Sequence, residues 1–210
     1  VLIWREGRPL WIVVGLFGYF ALTFLYGLYL CGGRAEGLLK VWKHPGRAVA
    51  DFVLMEGPGN TLMNMALVGA LCAAYICLIG GGFSGPVVGA ILTAFGFSAF
   101  GAHVRNYAPV LAGVYLSTLL NRFEPTTPGV QLAAAFAVGL APIAGRFGVI
   151  AGIVAGMLHT AIVMCTSQMY GGLNLYNNGF SAGGVAIIMV PAIESFLMEY
   201  GRRKRRDTDA

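Results

Sequence analysis

Residues 10–31, LWIVVGLFGYFALTFLYGLYLC, contain no charged side chain and decide the class of fold. A helix of about 20 apolar residues crosses the hydrocarbon core of a bilayer. The whole chain agrees with this stretch, because 57% of its 210 residues are apolar and only 11% are charged. Soluble domains have about 25% charged residues. We therefore predict an all-α, polytopic membrane protein with a single membrane domain.

The apolar stretches that follow differ in length and in regularity. Four of the predicted spans are full length, and three are short or interrupted by Gly or Pro. Short segments of this kind are typical of transporter sites built from discontinuous helices, so we expect broken or re-entrant helices. Ordinary short helices buried among their neighbours are the alternative. The predicted spans are 10–31, 60–80, 85–102, 109–120, 131–144, 147–169 and 181–198.

The charge distribution predicts the orientation in the membrane. Lys and Arg number 14 against 9 Asp and Glu, and the run Arg202–Arg206 supplies the whole excess. Since positive segments remain in the cytoplasm, we predict a cytoplasmic loop at 34–47 and a cytoplasmic basic tail at 201–210. A tail cluster is not the basic face that nucleic acid requires, although a lipid-headgroup or partner site is an alternative.

The sequence contains no catalytic signature and no metal-ligand spacing. The four cysteines lack C-x-x-C spacing, and His44, His103 and His159 lie in separate segments. We therefore predict no enzyme activity, no cofactor and no metal. A membrane enzyme acting on lipid or quinone would require His159 to meet Glu194 or Asp51 within hydrogen-bond reach.

Two short motifs recur along the chain. Residues 60–69 and 174–183 share the pattern N-x-x-x-N-x4-G at the entrance of a span, and 85–90 resembles 148–153. Internal repeats in membrane domains commonly indicate a pseudo-symmetric transporter with its site at the repeat interface. These similarities are consistent with an inverted repeat, and also with chance similarity in a Gly-rich chain.

The strongest candidate for a site is the stretch 171–184, GGLNLYNNGFSAGG. Amides beside a membrane span need polar partners, and a turn that opens into a helix presents N–H groups to an anion or dipole. A tight loop that merely begins the last helix is the alternative. His159 lies within a span, where ionisable residues are functional candidates, unless its imidazole simply bonds a neighbouring carbonyl. The predicted solute-binding residues are Asn60, Asn64, His159, Asn174, Tyr176, Asn177, Asn178 and Ser181.

A second polar interruption lies between two of the short segments. His103, Arg105, Asn106 and Tyr107 follow one another closely there. If the flanking segments are re-entrant, Arg105 lies at membrane depth and selects an anion. An ordinary loop arginine is the alternative.

Five motifs carry a resemblance to a known family, namely 85–89, 97–101, 106–114, 140–145 and 171–184. Together they resemble a prokaryotic multi-pass membrane family known as domain of unknown function 1576. The chain is similar to the C-terminal half of that family, whose members have two related halves. The resemblance implies a location in a prokaryotic inner membrane and a second homologous half or a homo-oligomer as partner. It implies no function.

A weaker similarity concerns the fold alone. The Gly-rich stretch 149–166 followed by NLYNNGF at 174–180 is similar to a repeat element of urea transporters. Because one fold serves many functions, this similarity implies an architecture rather than a substrate.

We predict a channel or transporter for a small polar or anionic solute, and a non-transporting scaffold or accessory subunit is the alternative. A transporter should contain a continuous polar-lined cavity at the membrane midplane. In a scaffold the Gly faces should be occupied by neighbouring helices. The expected partners are the lipid bilayer, the solute and a homo-oligomer or second half that covers the polar backbone of the short segments.

Overall fold

The computed structural model describes residues 9–47, 50–166 and 174–208, with side chains described up to residue 200 except for 167–176. Within these ranges the chain is helical and has no strand, which confirms the all-α, polytopic fold. The helices are α1 (Leu10–Leu30), α2 (Glu36–Val41), α3 (Phe52–Glu56), α4 (Pro58–Leu78), α5 (Gly85–Phe97), α6 (Val104–Asn121), α7 (Pro128–Phe136), α8 (Ala141–Phe147), α9 (Val149–Thr166) and α10 (Asn174–Thr208).

Five helical segments of the described chain are long and apolar enough to cross a membrane. Four of them coincide with the predicted full spans, although the last helix begins at Asn174 rather than at residue 181. The fifth, Pro128–Phe147, corrects a prediction, because 131–144 was expected to be a short segment. Pro142 does not end this span, since its ring lies in the first turn of α8, where its missing N–H is tolerated.

Another boundary differs from the prediction at α6. The helix begins at Val104 rather than at Pro109, so it has 18 residues and not a dozen. Its start is fixed by a capping box, in which the His103 ring accepts from the Asn106 N–H while the Asn106 side chain accepts from the His103 N–H. The preceding helix ends at Phe97, so residues 98–103 form a connection instead of continuing that segment.

Contacts between distant segments define two ends of the bundle. We call the end that carries the 34–47 segment the basic end, and the opposite end the far end. At the basic end the Phe52 N–H donates to the Ala99 carbonyl, and Gly145 of α8 packs on Pro45. Six passages through the bundle (α4, α5, α6, the α7–α8 span, α9 and α10) separate the 34–47 segment from the end of α10, although α5 and α6 are not among the five candidate membrane spans. Both basic segments therefore lie at one end, as the even count predicted.

The Gly faces of the bundle are occupied by neighbouring helices. α6 and α9 run parallel and form the most extensive helix pair. A Cβ at Gly113 would collide with the Ile153 carbonyl, and one at Gly156 would collide with the Val110 carbonyl. Small residues at such contacts let backbones approach closely, which is how helices associate in lipid.

The α7–α8 span lies at the centre of the bundle. About two thirds of its residues are buried, against about a fifth in α1 and α10, which present large apolar side chains outward. The central span is interrupted at Ala137–Leu140, where the chain forms a short 3₁₀ segment before α8 begins. This is the broken helix that the Gly- and Pro-rich pattern predicted.

In each pair of similar motifs, the two motifs lie at opposite ends of the bundle. The motif at 60–69 begins α4 at the basic end, whereas the motif at 174–183 begins α10 at the far end. Residues 85–90 begin α5 at the far end, and 148–153 begin α9 at the basic end. Each pair has the opposed orientation of an inverted repeat. The two pairs occur in opposite orders along the chain, so a single duplication does not account for both.

Candidate functional site

Polar side chains of two neighbouring helices contact the backbone of the central span just before its break. Pro142 has no N–H to donate to the Val138 carbonyl, which accepts instead from the Ala141 N–H in a 3₁₀ turn. One turn earlier, the Tyr107 hydroxyl of α6 donates to the Ala134 carbonyl at 2.7 Å. The His159 ring of α9 lies against the backbone of Ala133. Tyr107 and His159 therefore contact the backbone of this span about one turn before its break.

Four polar side chains meet at the far end, and we call them the far-end cluster: His159, Asn177, Asn178 and Ser181. All four have no exposed surface. The Asn177 amide donates to the Val163 carbonyl at 3.0 Å, one helical turn from His159. Asn178 interacts with the His159 ring, and Ser181 lies one turn further along the same face of α10. The structure thus brings together half of the predicted site residues.

Part of the hydrogen-bonding capacity of the far-end cluster is unused. Within the described chain, neither ring nitrogen of His159 and no lone pair of the Ser181 hydroxyl has a partner in hydrogen-bond geometry. Leaving a buried polar group unpaired costs about 1–3 kcal/mol. Such a cost in an otherwise apolar interior needs an explanation. Polar groups that face the interior of a membrane bundle commonly line a solute pathway, which would account for it.

Asn60 and Asn64 do not join the far-end cluster. Asn60 donates to the Glu56 carbonyl at 2.8 Å, within the first turn of α4. Asn64 donates to the carbonyls of Ser98 and Ala102, both at 2.9 Å. In the described residues α4 makes no contact with α9 or α10. These two amides therefore fix the 98–103 connection to α4 at the basic end, which corrects the prediction of one pathway shared by both Asn motifs.

Two further predicted residues are placed by their backbone alone. Asn174 and Tyr176 lie in the first turn of α10, next to the far-end cluster in sequence. Their side chains lie outside the described residues, as do residues 171–173 at the start of the Gly-rich stretch.

A cavity of about 400 Å³ lies between α10 and the central span, nearer to the basic end than the far-end cluster is. We call it the α10 cavity. It opens between α10 and the broken part of the central span. Arg146 and Glu194 form an ion pair at its outer end. Along α10, the buried residues Val185 and Met189 lie between Ser181 of the far-end cluster and Val190 of the cavity lining. Its lining includes Gly139, Pro142, Ile143, Ala186 and Val190.

The sequence patterns did not single out Val185 and Met189 as candidates. In sequence they look like ordinary members of an apolar span. Their helical spacing from Ser181, four and eight residues, is the one signal that places them on the face of the far-end cluster.

The groups required for the enzyme alternative are far apart. His159 lies beside Asn178, and Glu194 follows 16 residues later on the same helix, which corresponds to about 24 Å along its axis. Asp51 accepts hydrogen bonds from the first turn of α3 at the basic end. The structure does not bring these side chains together.

The 98–103 connection ends in a buried histidine at the basic end. His103 Nε2 lies 2.9 Å from the His44 carbonyl, while His103 Nδ1 accepts from the Asn106 N–H. Burial lowers the pKa of His103, so its ring is neutral near pH 7, consistent with one donating and one accepting nitrogen. Arg105 is exposed in the first turn of α6, as in the ordinary-loop alternative.

Comparison with known proteins supports one assignment. No curated protein and no solved structure matches the chain, so the similarity to urea transporters stays a prediction. One family model, described as "Protein of unknown function (DUF1576)", matches residues 32–195. That match covers most of the chain and includes all five motifs that carried the resemblance. The chain therefore belongs to the DUF1576 family.

Proposed function

We propose that this protein is a channel or transporter for a small polar or anionic solute, with its pathway between α10 and the broken α7–α8 span. The observation that carries the proposal is the far-end cluster. Its four side chains come from two helices and are fully buried, and one of them, His159, lies against the Ala133 backbone of the interrupted span. Buried polar side chains at a discontinuous helix are the arrangement that transporters use for solute binding.

The proposed pathway has three parts, which follow one another between α10 and the α7–α8 span. A solute binds at the far-end cluster, passes Val185 and Met189, and enters the α10 cavity, which the Arg146–Glu194 ion pair closes. The apolar contact at Val185 and Met189 separates the two polar parts, so transport requires α10 to move. α10 is the least buried of the spans, and its displacement therefore breaks few contacts within the bundle.

The chemistry of the far-end cluster defines the class of solute. It offers an imidazole, two amides, a hydroxyl and a backbone carbonyl, all of them uncharged when His159 is neutral. The cluster also lies in the first two turns of α10, where the helix dipole favours negative charge. A small polar molecule such as urea and a small anion such as formate both fit this set of donors and acceptors.

The positive-inside rule supports a specific orientation. The 34–47 segment contains Arg34, Lys40, Lys43 and Arg47 and lies at the same end as the C-terminal part of α10. On this basis the basic end faces the cytoplasm of a prokaryotic cell and the far-end cluster lies toward the outer surface. A homo-oligomer or a second homologous half stays a prediction for the partner.

The test is uptake into proteoliposomes with a panel of urea, formate, bicarbonate, ammonium and small amino acids. We compare the wild-type protein with Asn178→Leu and with Asn121→Leu, a matched control at the exposed far end of α6. We expect uptake of one solute by the wild type and the control, and at least a tenfold loss in Asn178→Leu. Equal uptake by the folded Asn178→Leu protein would contradict the assigned site.

A scaffold or accessory subunit is the second candidate, and one observation favours it. The Gly faces of α6 and α9 are filled by each other, as expected of helices that serve packing. A folded wild-type protein that takes up no solute of the panel, also after addition of a homologous half, would move the assignment to this candidate.

A further inference from the structure

A separate cleft at the basic end has a different composition from the pathway. It has a volume of about 400 Å³ and lies between the 42–44 segment and the starts of α6 and α9. We call it the basic-end cleft. The residues on which the inference depends are Trp42, Lys43, His103, Arg105, Gly148 and Val149.

The basic-end cleft is positively charged. Lys43 and Arg105 line it with exposed side chains, and none of its lining residues is acidic. His44 also lines it, but its ring is engaged with the Glu56 carboxylate at 2.8 Å. The His103 ring bonds to the His44 carbonyl and to the Asn106 N–H, so it supplies no charge. The net charge of the cleft therefore comes from one lysine and one arginine.

Uncommitted N–H donors face the same cleft. α9 has 18 residues and begins at Val149, and the first N–H groups of a helix have no acceptor within it. The Trp42 indole nitrogen is buried and has no hydrogen-bond partner in the described chain. Indole is a donor that cannot accept. Two cations and a helix start thus line one space that has no acidic residue in its lining, and Trp42, whose indole nitrogen is unpaired in the described chain, belongs to the same lining.

We propose that the basic-end cleft binds a phosphate group. Lys43 and Arg105 supply the charge, and Trp42 and the first turn of α9 supply N–H donors. Helix starts with nearby cations bind phosphate because the dipole and the free N–H groups act together. The phosphate belongs either to an anionic lipid headgroup at the membrane surface, where Trp is commonly found, or to a free phosphate in solution.

The experiment measures ligand-induced thermal stabilisation of the full chain in neutral detergent. The probes are dioleoylphosphatidylglycerol and inorganic phosphate, each titrated separately. The test variant is Lys43→Gln/Arg105→Gln, and the matched control is Arg34→Gln/Lys40→Gln, which removes two exposed cations from the same end but outside the cleft. Trp42→Phe removes the indole donor and retains an aromatic ring.

We expect half-saturation by one of the probes to need at least ten times more ligand in Lys43→Gln/Arg105→Gln, and several times more in Trp42→Phe. The control should bind like the wild type. Stabilisation by the lipid alone assigns the site to a headgroup, and stabilisation by inorganic phosphate assigns it to the free ion. Unchanged half-saturation in the double variant, equal loss in the control, or no stabilisation of the wild type by either probe overturns the proposal. If the double variant does not fold, the single variants Lys43→Gln and Arg105→Gln replace it.

Discussion

At the basic end, both N–H groups of the Asn64 amide have backbone acceptors, at Ser98 and Ala102. At the far end, the His159 ring and the Ser181 hydroxyl are equally buried but have no partner in hydrogen-bond geometry among the described residues. Both regions follow the same N-x-x-x-N-x4-G motif in sequence. The motif therefore predicts that polar side chains are buried near the start of a helix. Whether those side chains stabilise the fold or remain available to a solute depends on which backbone carbonyls lie within hydrogen-bond distance.

The largest expected effect tests whether the basic end is a rigid part of the fold. Gly101 has a φ of +107°, and a Cβ there would lie 2.6 Å from the Gly46 carbonyl oxygen. We expect Gly101→Ala to lower the free energy of unfolding by about 3 kcal/mol or more, since backbone strain adds to overpacking. Unfolding by SDS titration, followed by far-UV circular dichroism, measures the loss.

Gly33→Ala is the control for this substitution. Gly33 has a φ of +78° but no atom within contact distance of the added Cβ. Its loss should be about 1 kcal/mol, from strain alone. Equal losses in the two variants would mean that the close approach of residues 46 and 101 does not stabilise the basic end.

The second prediction concerns the Asn64 amide itself. Asn64→Leu leaves two buried carbonyls, those of Ser98 and Ala102, without their donors. We expect a loss of about 2–3 kcal/mol in the free energy of unfolding. The same SDS titration measures it, and Asn121→Leu, in which the lost bond lies at an exposed helix end, should change little. A stable Asn64→Leu protein with impaired uptake would return Asn64 to the solute pathway.

The third prediction is the counterpart at the far end. His159→Leu replaces a buried imidazole that has no hydrogen bond of good geometry with an apolar side chain of similar size. We expect the free energy of unfolding to stay within about 1 kcal/mol of the wild type, because the contacts of the ring with the Ala133 backbone and Asn178 lack good hydrogen-bond geometry and its burial carries a desolvation cost. Uptake should fall in the same variant. A loss of stability as large as that of Asn64→Leu would show that His159 holds the fold.

The spans could be predicted because hydropathy measures directly what a lipid bilayer requires. The errors arose where a single residue interrupts the pattern without ending the helix. Pro142 resembles a terminator in sequence, but a 3₁₀ segment before it lets the span continue as α8. The start of α6 was missed because His103 and Asn106 form a capping box with residue types other than the usual Ser or Thr with Glu.

The candidate site was predictable only in part. His159, Asn178 and Ser181 stand out as polar residues in apolar stretches, so composition alone finds them. Spacing does not indicate which distant carbonyls lie nearby, and for that reason Asn60 and Asn64 were assigned to the same site. The basic-end cleft gives no local signal, since residues 42–43, 105 and 148–149 meet only in the folded chain.

The smallest expected effect is a pH dependence at the basic end. Burial lowers the pKa of His103 in the folded chain below its value in the unfolded chain. As the pH falls through the ordinary histidine range, the unfolded chain takes up a proton before the folded chain does, so stability is full above that range and decreases below it. The groups that face His103 are His44, which is paired with Glu56, and Arg105.

His103→Asn keeps an N-cap acceptor but removes the titrating ring. We expect the wild type to lose more stability than His103→Asn when the pH is lowered from about 7.5 to about 5.5, a range that spans the ordinary histidine pKa. All other ionisable side chains are common to both proteins, so their contributions cancel in the comparison. Parallel pH profiles of the two proteins would show that the buried His103 does not link the basic end to protonation, and the contrast between the two ends would then rest on Asn64 and Gly101 alone.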